Sequence, residues 1–329
     1  MVRIINSITL ANTTYQNKSV LVTINLVNTP WQSNTMCNAF ANCSTLISVN
    51  NINENVNNMD HTFHNCVSLV NAPVIPNSVT NMEATFDGCT NLVNAPVIPN
   101  SVTDMWCAFA NCSSLVNAPA IPNSVNIMSY TFSRCSNLVN APVIPDSVSA
   151  LDGAFEYCSS LVNAPVIPNG VTIMHRTFAF CASLVNAPII PNSVTNLYYT
   201  FATCHNLVTA PNIPSQVDNL SQTFQHCENL TGNIIIESEI ITNAMNCFWN
   251  TSLDKNVYIP FQNNGVNTAT YNAFIAAGYS ADTRVNGALL MDINYDPLGD
   301  YTYTSDANDN YVLTDYIGSD SDITTPNME

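Results

Sequence analysis

Phenylalanine returns every 23 residues through most of this chain, at Phe40, Phe63, Phe86, Phe109, Phe132, Phe155, Phe178, Phe201 and Phe224. Cysteine follows three positions later each time (Cys43, Cys66, Cys89, Cys112, Cys135, Cys158, Cys181, Cys204, Cys227), and leucine three after that. Nine copies without insertion or deletion describe one supersecondary unit stacked on itself, a solenoid. Such a fold offers a long surface built of columns and no ready-made catalytic cleft.

One unit shows how a coil closes. Met82, Phe86 and Cys89 fall at i, i+4 and i+7, which predicts one buried face of a short helical or 3₁₀ segment. Leu92 to Pro96 reads as extended chain, because the residue before proline is pushed to the β region. Pro99 followed by Asn100 has the chemistry of a turn corner, and Val102 returns to the core. Stacking predicts a parallel β-ladder and a phenylalanine column. The columns Phe63, Phe86, Phe109, Phe132, Phe155, Phe178 and Phe201, and Cys66, Cys89, Cys112, Cys135, Cys158, Cys181 and Cys204, are assigned to architecture. A cysteine ladder points all its side chains one way, which suits disulfide geometry poorly, so free buried thiols are expected there. The off-column Cys37, Cys107 and Cys247 are expected to be accessible.

The pattern Phe-x-x-Cys-x-x-Leu followed by Ile-Pro-Asn-Ser-Val resembles the BspA-like leucine-rich repeat, also called the Treponema pallidum type, over roughly residues 33–230. The resemblance implies a right-handed α/β solenoid of about nine repeats with β-rich caps. It also implies kinship with bacterial surface adhesins and with gut-bacterial and bacteriophage-encoded arrays.

The expected organisation is an N-terminal β cap or anchor (1–32), the solenoid (33–230), a degenerate coil with a closing module (231–293) and an acidic hairpin tail (294–329). Within these, 3–10 and 19–26 alternate like strands. Residues 268–278 read as a helix with Thr268 at its start and Gly278 past its end. Ten acids against Arg284 make 282–329 either a solvated acidic end or a surface that docks onto a basic partner. A calcium loop on Asp292, Asn294 and Asp296 lacks the glycine and distal glutamate of an EF-hand.

Composition narrows function further. Net charge is −17, with six Lys and Arg in all, which argues against binding nucleic-acid phosphates or anionic membranes. No apolar run approaches the ~20 residues that span a bilayer. The N-terminus alternates like a strand and does not read as a signal peptide. Charged residues are only 9% of the chain, with Asn, Ser and Thr in their place, which suits an extracellular or particle-bound protein. None of the five histidines shows a metal-ligand spacing, and no catalytic motif is present, so no enzyme, metal or cofactor is expected.

What differs between coils is more informative than what repeats. Trp106, Tyr130, Tyr157, His175, Arg176, Phe180, Tyr198 and Tyr199 lie off the beat and concentrate in the middle coils. Exposed aromatics beside His, Arg and Asp suit a glycan- or protein-binding face; drift on a solvated surface is the alternative. The resulting expectation is a non-enzymatic attachment protein that binds a host-surface glycan or protein. It would be a virion fibre or decoration component of a gut bacteriophage. The N-terminal segment or acidic tail would contact other virion or surface proteins. A bacterial cell-surface adhesin and a purely structural spacer stand as alternatives.

Overall fold

The computed structural model describes residues 3–5, 22–25, 34–252, 255–263, 266–281, 285, 288–292, 301–305 and 311–316. Nine coils begin at the Met/Leu column, and coil 1 covers 36–58, coil 2 covers 59–81 and so on to coil 9 at 220–243. A tenth starts at Ala244.

The first part of each coil is not helical. Thr62 N–H donates to Met59 O, His64 to His61 O and Cys66 to Phe63 O, which are three consecutive turns. The intervening amides donate along the solenoid axis, as Met59 to Asn81 O, His61 to Glu83 O, Phe63 to Thr85 O and Asn65 to Asp87 O. Two residues per coil adopt left-handed backbone, for example His61 (φ 51) and Asn65 (φ 58), or Arg176 (φ 55) and Phe180 (φ 62). That conformation breaks the i→i−4 ladder a helix requires, so the expected helical or 3₁₀ segment is a chain of turns. The i, i+4, i+7 apolar spacing is kept, because the chained turns also bring Met, Phe and Cys inward.

The extended part is equally economical. Coils pair through single parallel bridges at two places, Asn71–Asn94–Asn117–Asn140–Asn163–Asn186–Thr209 and Asn58–Asn81–Asp104–Ile127–Ala150–Ile173–Asn196–Asn219. Pro96 and Pro99 lack the amide that would lengthen the first ladder. The ladder is parallel, as expected, but one residue deep.

Longer strands occur only toward the ends among the described residues. β2 (Val22–Asn25) pairs in parallel with β1 (Arg3–Ile5) on one side and with β3 (Leu46–Asn50) on the other, so these strands continue the direction of coil stacking. At the other end β4 (Gly232–Ile235) pairs with β5 (Lys255–Ile259). The short β6 (Gln262–Asn263) and β7 (Val266–Asn267) form an antiparallel pair. They lead to α1 (Ala269–Ala276), and β8 (Ala288–Asp292) then joins β5. Thr268 caps α1 by accepting from Tyr271 N–H, and Gly278 follows at φ +89, where a left-handed residue closes the helix. In the acidic tail β9 (Tyr301–Ser305) and β10 (Tyr311–Tyr316) are antiparallel. Asn294 and Asp296 of the calcium alternative lie outside the described residues.

The core is a stack of columns. Phe40 to Phe248 stack ring on ring at 5.4–5.8 Å. The helix ends the stack: Phe274 continues it at 6.3 Å, and Tyr279 packs edge-on against Phe248 and accepts its amide hydrogen. All twelve cysteines are free. From Cys66 to Cys227 each column thiol donates to the carbonyl of the Phe 26 residues earlier, at 3.1–3.2 Å. A second buried polar column is Thr62, Thr85, Thr131, Thr177, Thr200 and Thr223, whose hydroxyls donate at 2.7–2.9 Å to the Met/Leu carbonyl of the preceding coil. Every buried hydroxyl or thiol in these columns therefore carries a bond that ties one coil to the next.

Cys247 is a correction. It is fully buried, because the extra residue of coil 9 shifts the frame and puts Cys247 in the threonine column, below Thr223. Cys37 is exposed and Cys107 half-buried, its thiol pushed up to about 12 by burial and then by Asp87 and Glu83. In the native protein a thiol reagent is expected to modify Cys37 quickly and Cys107 slowly. The other ten should react only on unfolding; rapid modification of more than two would contradict the column geometry.

A serine ladder gives a further test. Ser78, Ser101, Ser124, Ser147 and Ser193 each donate at 2.5–2.6 Å to the valine carbonyl of the preceding coil. Coil 6 has Gly170 there, with ordinary negative φ, and an added Cβ would meet Asp146 O at 3.2 Å and Val148 O at 3.4 Å. Gly170→Ser should restore the bond and reduce the freedom of the unfolded chain. Together these are expected to stabilise the protein by about 1 kcal/mol. A lowered urea midpoint would contradict this.

Candidate functional site

Four positions per coil lie off the buried Met, Phe and Cys columns of the turn segment: the two after the Met/Leu column and the two after Phe. Stacking turns them into four outer columns, so residues 23 apart in sequence become neighbours. On coils 5–8 these columns build one continuous polar and aromatic patch.

Its centre is a stack. The Arg134 guanidinium sits 4.3 Å over the Tyr157 ring, and Tyr157 lies flat on Phe180 at 4.1 Å and 4°. Phe180 meets Tyr199 at 6.0 Å, and Tyr199 meets Tyr198 at 5.9 Å. Arg176 lies 5.3 Å over Tyr199 and 3.4 Å from Glu156, which is buried. His175 packs edge-on to Tyr198 at 6.2 Å and lies 3.3 Å from Asp152. Tyr130 covers Gly153, where a Cβ would fall 2.3 Å from its ring, so only glycine (φ +54) admits it. Partial burial, then Glu156 and Asp152, hold the Tyr130 phenol above its usual value. Partial burial does the same for Tyr199, against the opposing charge of Arg176.

Seven of the eight candidate residues thus share one surface. Trp106 stands apart on coil 4, 38% exposed, with no ring contact to the cluster. The outer columns are also less exposed than anticipated. Ser133, Glu156, Ala179 and Ala202, each directly after Phe, are buried, because the next coil's turn lies over them. The cluster binds its own faces together, leaving ring edges and the exposed Arg134 and Arg176 to solvent. A rigid surface of this kind can hold a polar ligand with an apolar face.

Coil stacking also joins groups that no local spacing announces. Asp60, His61 and Glu83 offer ligand atoms all within 4.8 Å of one another, the one metal-capable group among the described residues. His61 Nδ1 pairs with Asp60, and His64 lies 3.1 Å from Asp87. Burial, then Asp60 and Asp104, raise the Glu83 carboxyl. Two carboxylates and an imidazole are a donor set for a transition-metal ion, but the imidazole here is already bonded to one of the two acids.

A BspA type leucine-rich repeat region model matches residues 9–139, 93–208 and 152–277. Among solved structures, a leucine-rich repeat protein from Bacteroides ovatus is similar with a TM-score of 0.56 and 23% identity, over 78% of this chain and 63% of that one. This chain therefore spans less than two thirds of that protein. A leucine-rich cell surface protein from Faecalibacterium prausnitzii gives a TM-score of 0.31 and 18% identity, over 73% and 79%. No curated protein matches the chain.

Proposed function

Because this chain belongs to the BspA-type leucine-rich repeat family, we propose that it is a non-enzymatic surface-attachment protein. Its solenoid would present the turn face of coils 5–8 to a host-surface glycan or protein. The observation that carries the reading is the Arg134–Tyr157–Phe180–Tyr199–Tyr198 assembly, the one place where off-beat aromatics and both cations of the array converge. Aromatic surface with flanking Arg, His and Asp is the usual chemistry of selective, non-catalytic recognition. The ionisable groups there are engaged with one another, His175 with Asp152 and Arg176 with Glu156. That suits binding better than proton transfer.

The sparse charge of the chain favours a place on a particle or cell exterior, and our reading is a fibre or decoration component of a gut bacteriophage. No described helix is long and apolar enough to cross a membrane. A structural spacer is the second reading, favoured by the rings stacking chiefly on each other. The test is binding of the full chain to a panel of immobilised mucosal and bacterial-surface glycans and to whole gut bacteria. Saturable binding to any member supports attachment, and none across the panel supports the spacer. Finding the chain in purified phage particles or on intact bacteria separates the two locations.

A further inference from the structure

A second surface, sharing no residue with the turn-face patch, repeats with the beat and yet is not buried. The first of the two residues between the prolines of coils 2–7 forms the column Val74, Val97, Ala120, Val143, Val166, Ile189. Its valines and isoleucine are 81–87% exposed. Extended backbone alternates sides, so the next residue, Ile75, Ile98, Ile144, Ile167 or Ile190, points into the core at 4–6% exposure. Burial thus accounts for the isoleucines and leaves the valines unexplained. A flanking row, Val70, Val93, Val116, Val139, Val162 and Val185, is 37–42% exposed. The ridge stops at both ends on asparagine, Asn51 in coil 1 and Asn212 in coil 8.

We propose that this ridge is the interface of a two-fold homodimer. Three observations select a second copy as the occupant. The first is area. Five coil rises of ~4.8 Å by eight extended residues of ~3.3 Å give a strip of about 600 Å². That compares with the roughly 800 Å² each partner contributes to a standard interface. The second is charge. The chain carries 23 acids against six Lys and Arg, so two copies repel through most faces. Across the ridge segments of six coils (70–77 and its five successors) the only charged residue is Asp146. The third is pitch. An antiparallel copy presents knobs at the same spacing, so each knob of one copy meets a knob of the other along the whole length. A two-fold axis at the centre sets the notch at Ala120 against the partner's Val143. Prolines on both sides of the column remove amide donors, so the contact is made by side chains and not by adding a strand.

The test is sedimentation equilibrium of the full chain across a micromolar range, beside the triple variant Val97→Asp, Val143→Asp, Val166→Asp. These side chains are solvent-exposed in the monomer, so circular dichroism should be unchanged and the variant should still unfold cooperatively, with a thermal midpoint lowered only by the loss of the stabilisation that association gives the folded state. The wild type is expected at twice 35.8 kDa, and the variant at the monomer mass with self-association weakened more than ~100-fold. A wild type that stays at 35.8 kDa, or a dimer indifferent to the three acids, overturns the proposal. Neither result bears on the glycan and cell panel, which reads the other face.

Discussion

Raising the pH from 8 to 10 is expected to remove most of the stability of this protein. Cys66, Cys89, Cys112, Cys135, Cys158, Cys181, Cys204, Cys227 and Cys247 are held above the ordinary thiol value of 9.0, chiefly by burial. In the unfolded chain the same thiols titrate near 9.0. Above that pH the unfolded state binds fewer protons than the folded one, so stability falls as pH rises. Below it the stabilisation is intact. One pH unit above 9.0 each thiol costs about 1.4 kcal/mol, and nine of them about 13 kcal/mol, against a typical total of roughly 5–15 kcal/mol. Urea unfolding followed by circular dichroism from pH 8 to 10 measures this directly. The triple variant Cys112→Ala, Cys135→Ala, Cys158→Ala should lower the pH slope by about one third, whatever it does to stability at neutral pH. A urea midpoint that stays level to pH 10 would mean that these thiols are not buried as a column.

Removing one ring from the middle of the phenylalanine stack should have the largest effect of any single substitution in the array. Phe132 is fully buried between Phe109 at 5.7 Å and Phe155 at 5.8 Å. Phe132→Ala opens a cavity that the bonded turns above and below cannot collapse into, at a cost of about 3–5 kcal/mol. In a solenoid each coil is stabilised only by its neighbours. The loss therefore falls on the coupling between coils 4, 5 and 6, and the melt should separate into two phases. Phe274→Ala acts at the end of the same stack by uncovering Phe248, and should loosen the last coils first. A Phe132→Ala melt that remains single and shifts by less than ~1 kcal/mol would show that the rings do not carry the coupling.

The solenoid was legible because its period is strict and every beat residue is buried for the same reason. Hydropathy spacing could not separate a helix from chained turns, since both place Met, Phe and Cys inward. The available signal was the second residue after Phe, where Asn42, Asn65, Gly88 and Asn111 are types that tolerate left-handed backbone. The threonine column was visible as Thr before Phe in six of nine copies, but its bond to the previous coil needs the stacking geometry. The burial of Cys247 follows from a one-residue shift, visible in the 24 residues from Phe224 to Phe248, that sets it in the threonine column. The candidate patch was legible as an enrichment of aromatics in the middle coils. Its internal stacking, and the isolation of Trp106, depend on which outer column each residue occupies. The valine ridge repeats through six coils with one gap at Ala120, and the alternation of extended backbone decides that it, and not the neighbouring isoleucine, faces water.

The central claim is that residues on the beat hold the rod and residues off it attach the rod to a surface. It is tested most directly by measuring binding of the Tyr157→Ala, Tyr198→Ala, Tyr199→Ala protein to the best glycan or cell surface of the panel. Trp106→Ala serves as the comparison. The triple variant should keep the wild-type circular dichroism and lose at least ~10-fold in affinity, while Trp106→Ala binds as the wild type. Unchanged binding by the folded triple variant would contradict the account.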